Sequence, residues 1–337
     1  MTISVDKKTI APQTTGAAPA SDTIQRALPA APEATVACPL VHYEFLRIQG
    51  EEAQPFLQGQ LTNDVLQCTP QRAQFGGYCS PQGRLLANFL LICAPEGYLI
   101  HLPSAMAGSL ADRLRKFILR ARVKIDGATD IRAMGLAGPP AGEHVGKMLG
   151  AVPSRTLEVV WHDRTLGVRL PNDLFLVAGP ADTLVRYREL AASEIVPADT
   201  QCWDWLQIHA GIPWILPPTR DHFIPQMVGL DAIGGVGFQK GCYPGQEIVA
   251  RSQYLGHVKR RLWAGSAEAS AAAGDALFAA NQSCGMVLNA APAPPAGWDL
   301  LAVVQESLAG QVLHLRSGDG ARVHPRPLPP SWTAGPR

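Results

Sequence analysis

Lys240-Gly241-Cys242-Tyr243-Pro244-Gly245-Gln246-Glu247-Ile248-Val249-Ala250-Arg251 is the densest concentration of chemistry in this chain. Two glycines and a proline bend the backbone around Cys242, because glycine enters conformations closed to other residues and proline holds its own φ fixed. Lys240 and Arg251 bring positive charge toward the thiol, which favours the thiolate, the form that acts as nucleophile or metal ligand. A lone cysteine is as readily a small buried hydrophobe. The residues by themselves leave the two readings even.

The stretch sits inside a long non-repetitive region, 211–256, with Pro213, Pro217, Pro218, Pro225, Pro244 and eight glycines. That is too many breakers for one regular element, yet the region is too rich in Phe, Ile, Met and Tyr to be a linker. An ordered, partly buried loop of this kind is usually there for function. Gly234 to Gly241 imitates a nucleotide loop but has neither of the glycine orders that such loops need. Lys259-Arg260-Arg261 reads as a surface or interdomain patch rather than a nucleic-acid site.

Upstream, His42 to Ile48 is strand-like, Glu51 to Leu57 starts a helix, and Gly59 to Asp64 breaks it. Gln74 to Cys79 and Leu85 to Ile92 flank Ser80-Pro81-Gln82-Gly83, a tight-turn sequence, and Gly97 to Leu102 adds a further strand. Leu110, Leu114, Phe117, Ile118 and Ala121 recur at helical spacing over 105–123, with five basic residues on the solvated side. Lys124 to Ile131 reads as a strand. A helix at 143–150, strands near 157–161, 165–170 and 174–178, and a helix at 181–193 follow. Asp199 caps a helix that Gly211 stops. Short strands from about residue 260 to 324 suggest a small barrel or sandwich.

The whole chain has 337 residues, 29 Lys+Arg against 28 Asp+Glu, and a formal net charge of +1. This length allows two or three domains. The near-neutral charge supplies no field to gather nucleic acid, and the apolar runs are too short to span a bilayer. Seven cysteines, at 38, 68, 79, 93, 202, 242 and 284 and without a C-x-x-C pair, fit neither a disulfide framework nor a zinc or cluster ligand set. His209, His222 and His257 lack metal-ligand spacing, so no metal site is expected. A reducing cytoplasm is the natural setting. Residues 1–35 read as a disordered tail rather than a targeting peptide, and 326–337 as a Pro-rich tail.

The 240–247 stretch resembles the K-G-C-Y-x-G-Q-E signature of the YgfZ group within the GcvT superfamily, the folate-binding relatives of the glycine-cleavage aminomethyltransferase. Phe56 to Val65, Ser80 to Arg84, Ala210-Gly211-Ile212-Pro213 and Phe223 to Met227 follow in that group's expected order. The resemblance covers about residues 40–262. It implies an α+β multidomain fold of three parts around a central cavity. We expect a discontinuous folate-binding module over 36–125 and 199–256, a second α/β module over 126–198, and a C-terminal β-barrel over 257–325. It also implies a role in making or maintaining iron–sulfur clusters in client proteins, in connection with tetrahydrofolate or a one-carbon derivative. In the aminomethyltransferases an acidic pair follows the turn, where Ala87-Asn88 stands here; an amide cannot accept a proton at neutral pH, so aminomethyl transfer by that route is not expected.

A folate site needs groups for the polar pteridine edges, apolar walls and a cation for the glutamate tail. Gln226 and Glu247, with Gln246 beside them, are candidates for the edges, Phe223, Met227 and Tyr243 for the walls, and Lys240 or Arg251 for the tail. A Glu247–Arg251 ion pair and ordinary core packing of Phe223 and Met227 compete with those roles. Cys242 is the functional thiol, as a ligand to a transient cluster, a redox thiol or a nucleophile, with Lys240 beside it; no resident cluster is expected. The expected partners are folate and iron–sulfur client or assembly proteins, with no nucleic acid, no membrane and a monomer favoured. A folate-dependent one-carbon transferase or demethylase, and a non-catalytic scaffold, are the competing classes.

Overall fold

The computed structural model describes residues 35–254, 256 and 258–329. The first described element, β1 (Thr35–Pro39), leads to a turn at Leu40, whose carbonyl accepts from the Tyr43 N–H, and into β2 (Tyr43–Gln49). After α1 (Ala53–Gln58) come β3 (Gln74–Cys79), β4 (Leu85–Ala94) and β5 (Gly97–Pro103), then α2 (Ser104–Arg115) and β6 (Lys124–Gly127). β2 to β6 form an antiparallel sheet in the order β3-β4-β5-β2-β6. Every residue of β3 and the first eight of β4 are buried, which is why these strands read as apolar runs without alternation. The Ser80–Gly83 turn closes as expected, with the Gly83 N–H on the Ser80 carbonyl at 2.9 Å and Gly83 at φ +71°.

The helix expected over 105–123 ends at Arg115. The Arg115 guanidinium donates to the Ile125 carbonyl at 2.8 and 3.2 Å, and β6 must return to pair Ile125 with Ile48. A longer helix would overshoot that pairing. Leu119 accordingly takes φ 43° and lies 89% exposed. Gly50, at φ +119°, receives the returning chain: a Cβ there would sit 2.0 Å from the Arg122 carbonyl oxygen.

The second sheet holds β7 (Arg132–Ala137), β8 (Val159–His162), β9 (Thr165–Arg169), β10 (Phe175–Gly179) and β11 (Ile195–Pro197), in the order β11-β1-β7-β10-β9-β8. β1 runs parallel to β11 and antiparallel to β7. Residues 35–39 therefore belong with 132–197 and not with the sheet that follows them, and β6 carries the first sheet to residue 127. Local pattern shows that a strand exists, but not which sheet it joins. The helices α3 (Ala141–Leu149), α4 (Ala181–Leu190) and α5 (Thr200–His209) accompany this sheet; Asp199 caps α5 by accepting from the Cys202 N–H at 3.0 Å.

α6 (Gln246–Tyr254) ends the loop region. β12 (Arg260–Ala267), β13 (Ala276–Ala279), β14 (Gln282–Pro292), β15 (Trp298–Gln305), β16 (Leu313–Leu315) and β17 (Arg322–Arg326) close into a barrel. Its core includes Leu277, Val287, Leu300, Val304 and Leu315. Of the expected tails, 1–34 and 330–337 lie outside the described residues, as does His257. Arg326 ends β17 and pairs with Asp299 at 2.7 Å, so ordered structure runs past 325.

Two asparagines fasten the modules together. Asn88 of β4 donates to the Pro213 carbonyl and accepts from the Ile215 N–H, both at 2.7 Å. Asn289 of β14 accepts from the Trp214 N–H at 2.8 Å and donates to the Trp214 carbonyl at 2.9 Å. The 213–215 strap is thus clasped from the first sheet on one side and the barrel on the other. A second tie joins α5 to the barrel: Trp205 Nε1 donates to Asp299 at 2.8 Å, and His209 and Arg326 contact the same carboxylate at 2.7 Å.

Burial would raise the Asp299 carboxyl, but the bonds and charges of His209, Arg326 and Trp205 hold it below the ordinary range. A depressed carboxyl contributes stability that is present above its unfolded value and is lost as pH falls through the folded one. The melting temperature of the wild type should therefore fall more steeply than that of Asp299→Asn as pH drops below about 4. Parallel curves would remove Asp299 from the acid response.

Candidate functional site

The loop before α6 is held from below by Gln60-Leu61-Thr62-Asn63-Asp64. The Thr62 hydroxyl donates to the Gly235 carbonyl at 2.7 Å and accepts from the Gly77 N–H at 2.8 Å. Asn63 Nδ2 donates to the carbonyls of Gly234 and Phe75 at 2.6 and 2.8 Å, and the Gly237 N–H donates to the Thr62 carbonyl at 2.9 Å. The ammonium of Lys240 donates to the carbonyls of Gln58 and Leu61, both at 2.6 Å, and lies 5.0 Å from the centre of the Tyr243 ring. It plugs the C-terminal end of α1, where carbonyls lack helical partners. Burial pulls its pKa down to about 8, against the pull of Asp64 and Cys242. Gly245, at φ +78°, presses on the Ser80–Gly83 turn, where a Cβ would lie 2.4 Å from the Ser80 carbonyl oxygen. Gln246 Nε2 ties back to the Lys240 carbonyl at 3.3 Å.

This scaffold presents one thiol. Five of the seven cysteines are buried, Cys93 is half-buried, and Cys242 is exposed. The reading of Cys242 as a buried hydrophobe is therefore overturned. Lys240→Met should unfasten the loop while leaving the β-sheets intact. Losing two charge-assisted bonds to buried carbonyls costs about 1–3 kcal/mol locally, read as faster amide exchange over 234–246. Exchange unchanged there would show that the plug is dispensable.

The remaining sequence candidates separate. Tyr243 is buried beneath Lys240, and Lys240 is committed to carbonyls rather than to a tail. Phe223 lies in the core, its carbonyl accepting from the Leu85 N–H at 2.7 Å, and Met227 packs half-buried against that core. Gln226 is buried with Nε2 on the Val249 carbonyl at 2.7 Å, leaving Oε1 unpartnered. Glu247 and Arg251 are exposed on α6, and no ion pair joins them among the described residues. Of the folate candidates, none lines the cavity between the first sheet, α5, the 213–215 strap and the barrel.

That cavity measures about 360 Å³, and its walls include Tyr43 and Pro103 from the first sheet, Asp204 and Gln207 from α5, Trp214 from the strap and Asn289 from the barrel. Its size suits a small-molecule ring system. The Tyr43 hydroxyl donates to Asp204 Oδ1 at 2.9 Å and accepts from Gln207 Nε2 at 3.3 Å, and Gln207 Oε1 accepts from Trp214 Nε1. Burial pushes the Asp204 carboxyl up to about 6, although Tyr43 and His42 oppose it. His101 stacks on Tyr43 at 5.2 Å between ring centroids, and burial lowers its pKa to about 3, keeping it neutral. A larger cavity of about 510 Å³ borders β1 and α4, walled by Ala37, Leu40, Met134 and Leu184 with Glu44, Arg132 and Arg188 among its polar groups.

Sequence reasoning missed the cavity set. The one local signal was Trp203-Asp204-Trp205, a carboxylate between two large aromatics inside a helix. The pairing with Tyr43 spans 161 positions and leaves no trace in spacing. Among the described residues no three His, Cys, Asp or Glu side chains cluster as metal ligands, and no helix is long and apolar enough to cross a membrane.

Comparison with known proteins gives two kinds of likeness. The chain is 32% identical over 294 residues to the tRNA-modifying protein YgfZ of Edwardsiella ictaluri, covering 84% of this chain and 89% of that protein. It is 34% identical over 227 residues to the protein of the same description from Colwellia psychrerythraea, covering 66% and 69%. In structure it matches the glycine cleavage system aminomethyltransferase T of Bartonella henselae with a TM-score of 0.73, at 15% identity, over 94% of this chain and 89% of that one. No family model matches. The match to the aminomethyltransferase is one of fold and bears out the GcvT-like three-part architecture. The relatives' name concerns tRNA, a partner class that the reading of the sequence did not expect.

Proposed function

Because this chain belongs to the YgfZ family, we propose that it is a folate-binding accessory factor of the cytoplasm that assembles or repairs iron–sulfur clusters in client proteins through the Cys242 thiol. The observation that carries the reading is the isolation of that thiol: the exposed cysteine among seven stands on a loop that Lys240, Thr62, Asn63 and Gly245 brace from several sides. A soft sulfur on a braced, open loop suits brief contact with iron or a cluster intermediate better than resident ligation, which would need about four converging sulfurs. Folate enters through the fold shared with the aminomethyltransferase, and the cavity between the first sheet, α5, the strap and the barrel is its seat in this reading. Tetrahydrofolate or a one-carbon derivative binds there with its ring system inside.

The relatives' name is carried over as the process served: tRNA modification that depends on a maintained client. It is not assigned as chemistry on RNA by this chain, whose charges balance to +1. A transferase of the aminomethyl type is disfavoured by Asn88, whose amide is spent on the strap backbone at both ends. The test is recovery of an oxidant-inactivated iron–sulfur enzyme given iron, sulfide and a thiol reductant. This protein with tetrahydrofolate should speed recovery at least about tenfold, a barrier change of about 1.4 kcal/mol. Recovery at the unassisted rate would sink the reading.

A further inference from the structure

The turn that follows α2 exposes apolar side chains that the fold itself does not use. Its backbone is well bonded: the N–H groups of Lys116, Phe117 and Ile118 donate to the carbonyls of Arg113, Leu114 and Arg115 at 3.2, 3.0 and 3.2 Å, and that of Ala121 to Ile118 at 2.7 Å. Ile118 packs against the core, whereas Phe117 is 49% exposed and Leu119 89%. Leu119 also holds φ 43°, a left-handed conformation that is costly for a residue with a Cβ and free for glycine. The exposed side chain gains no burial from this chain to offset that strain. Five cations and no acid lie within 113–122. Arg115 is committed to the Ile125 carbonyl and Arg122 to Glu51, while Arg113 is half-buried. Lys116 and Arg120 are exposed and have no ion pair among the described residues.

This turn is anchored near the thiol loop. Arg122 pairs with Glu51 at 2.8 Å and its N–H donates to Glu52 at 2.8 Å, just ahead of α1. Lys240 donates to the Gln58 carbonyl at the other end of the same helix. α1 has six residues, so the two anchors are about 9 Å apart along its axis. A protein that reaches Cys242 meets the turn within the footprint of an ordinary interface.

We propose that the 116–120 turn docks the iron–sulfur client that Cys242 serves, with Phe117 and Leu119 entering an apolar recess whose acidic rim meets Lys116 and Arg120. This rests on the thiol reading above and adds to it how the client is held. An aromatic and basic side chains around an apolar centre suit a protein interface. A second copy of this chain is a poor occupant, because a two-fold interface would set these cations against each other. Single-stranded RNA would use Phe117 and the cations but not Leu119, which has no π face for a base. A bilayer fits less well, since stable anchoring takes more than one weak signal and this turn carries two apolar side chains.

The probe is an oxidant-inactivated iron–sulfur dehydratase of acidic surface. Its binding to the full chain is read by calorimetry, and assisted recovery is read separately against its concentration. Leu119→Gly should weaken binding at least about tenfold and raise the half-saturating concentration equally. It should melt no lower than wild type, because the backbone strain is relieved, and iodoacetamide should alkylate its Cys242 at the wild-type rate. Lys116→Glu combined with Arg120→Glu should weaken binding as much and remove the loss of affinity that added salt causes in wild type. Cys242→Ala should bind as tightly as wild type. Turn-dependent binding by wild type without assisted recovery would remove the thiol reading and leave the docking standing. Equal binding by wild type and both turn variants, or no binding by folded wild type, would overturn the docking. Tighter turn-dependent binding of phosphatidylglycerol vesicles or of oligouridylate would overturn the protein partner.

Discussion

Cys242→Ala is expected to reduce the assisted recovery of a damaged iron–sulfur enzyme to the unassisted rate, at least tenfold, while leaving fold and folate affinity nearly unchanged. The side chain is exposed, and substitutions at such positions usually change stability by no more than about 0.5 kcal/mol. The backbone of the loop is held by Lys240, Thr62, Asn63 and Gly245, none of which needs the sulfur. The change therefore removes chemistry without removing structure. Cys242→Ser keeps the size and a hydroxyl but has no thiolate at neutral pH, so it should fail as completely as alanine. Full activity in either variant would refute the thiol role. Partial activity in serine alone would point to a hydrogen bond rather than to sulfur.

Asn88→Asp is expected to cause the largest loss of stability of any single-atom-scale change at the module junction, about 2–5 kcal/mol at neutral pH. It restores a carboxylate next to the turn, as in the aminomethyltransferases, yet it removes the donor that the Pro213 carbonyl accepts from at 2.7 Å. A buried carboxylate oxygen would then face that carbonyl oxygen, while the bond from the Ile215 N–H persists. The introduced carboxyl is destabilised as an anion, so its folded pKa lies above its unfolded value. Its deficit is therefore largest above the folded pKa and shrinks as pH falls through it, since the protonated acid can donate again. Chemical denaturation at pH 7.5 and pH 5 measures this directly. Equal midpoints for variant and wild type at pH 7.5 would mean that the strap is not clasped by this side chain. Aminomethyl transfer should not appear in the variant, because the carboxylate would be occupied by the strap backbone.

The legible parts of this protein are those where neighbours in sequence are neighbours in space. The Ser80–Gly83 turn, the strands on either side of it and the Asp199 cap are set by turn chemistry and capping within a few residues, and they form where expected. Helix α2 was legible in its first three turns only, since the pairing of Ile125 with Ile48 ends it. The Gln60-Leu61-Thr62-Asn63-Asp64 stretch was recognised as a motif, but its purpose, bracing a loop some 170 positions away, appears only in the fold. The same holds for Lys240, which sequence chemistry offers to an anion and the structure assigns to two carbonyls.

From sequence alone come the segments, the residues of the Cys242 motif and the likeness to a folate-binding superfamily, because periodicity, glycine, proline and motif order are local properties. Tertiary structure decided which sheet β1 joins, that Phe223 and Gln226 are core, and that Tyr43 and Asp204 meet in one cavity with Trp214. Those outcomes depend on how the two sheets and the barrel bury their surfaces against each other in one continuous core, and such burial selects partners by shape across the whole chain rather than by distance along it.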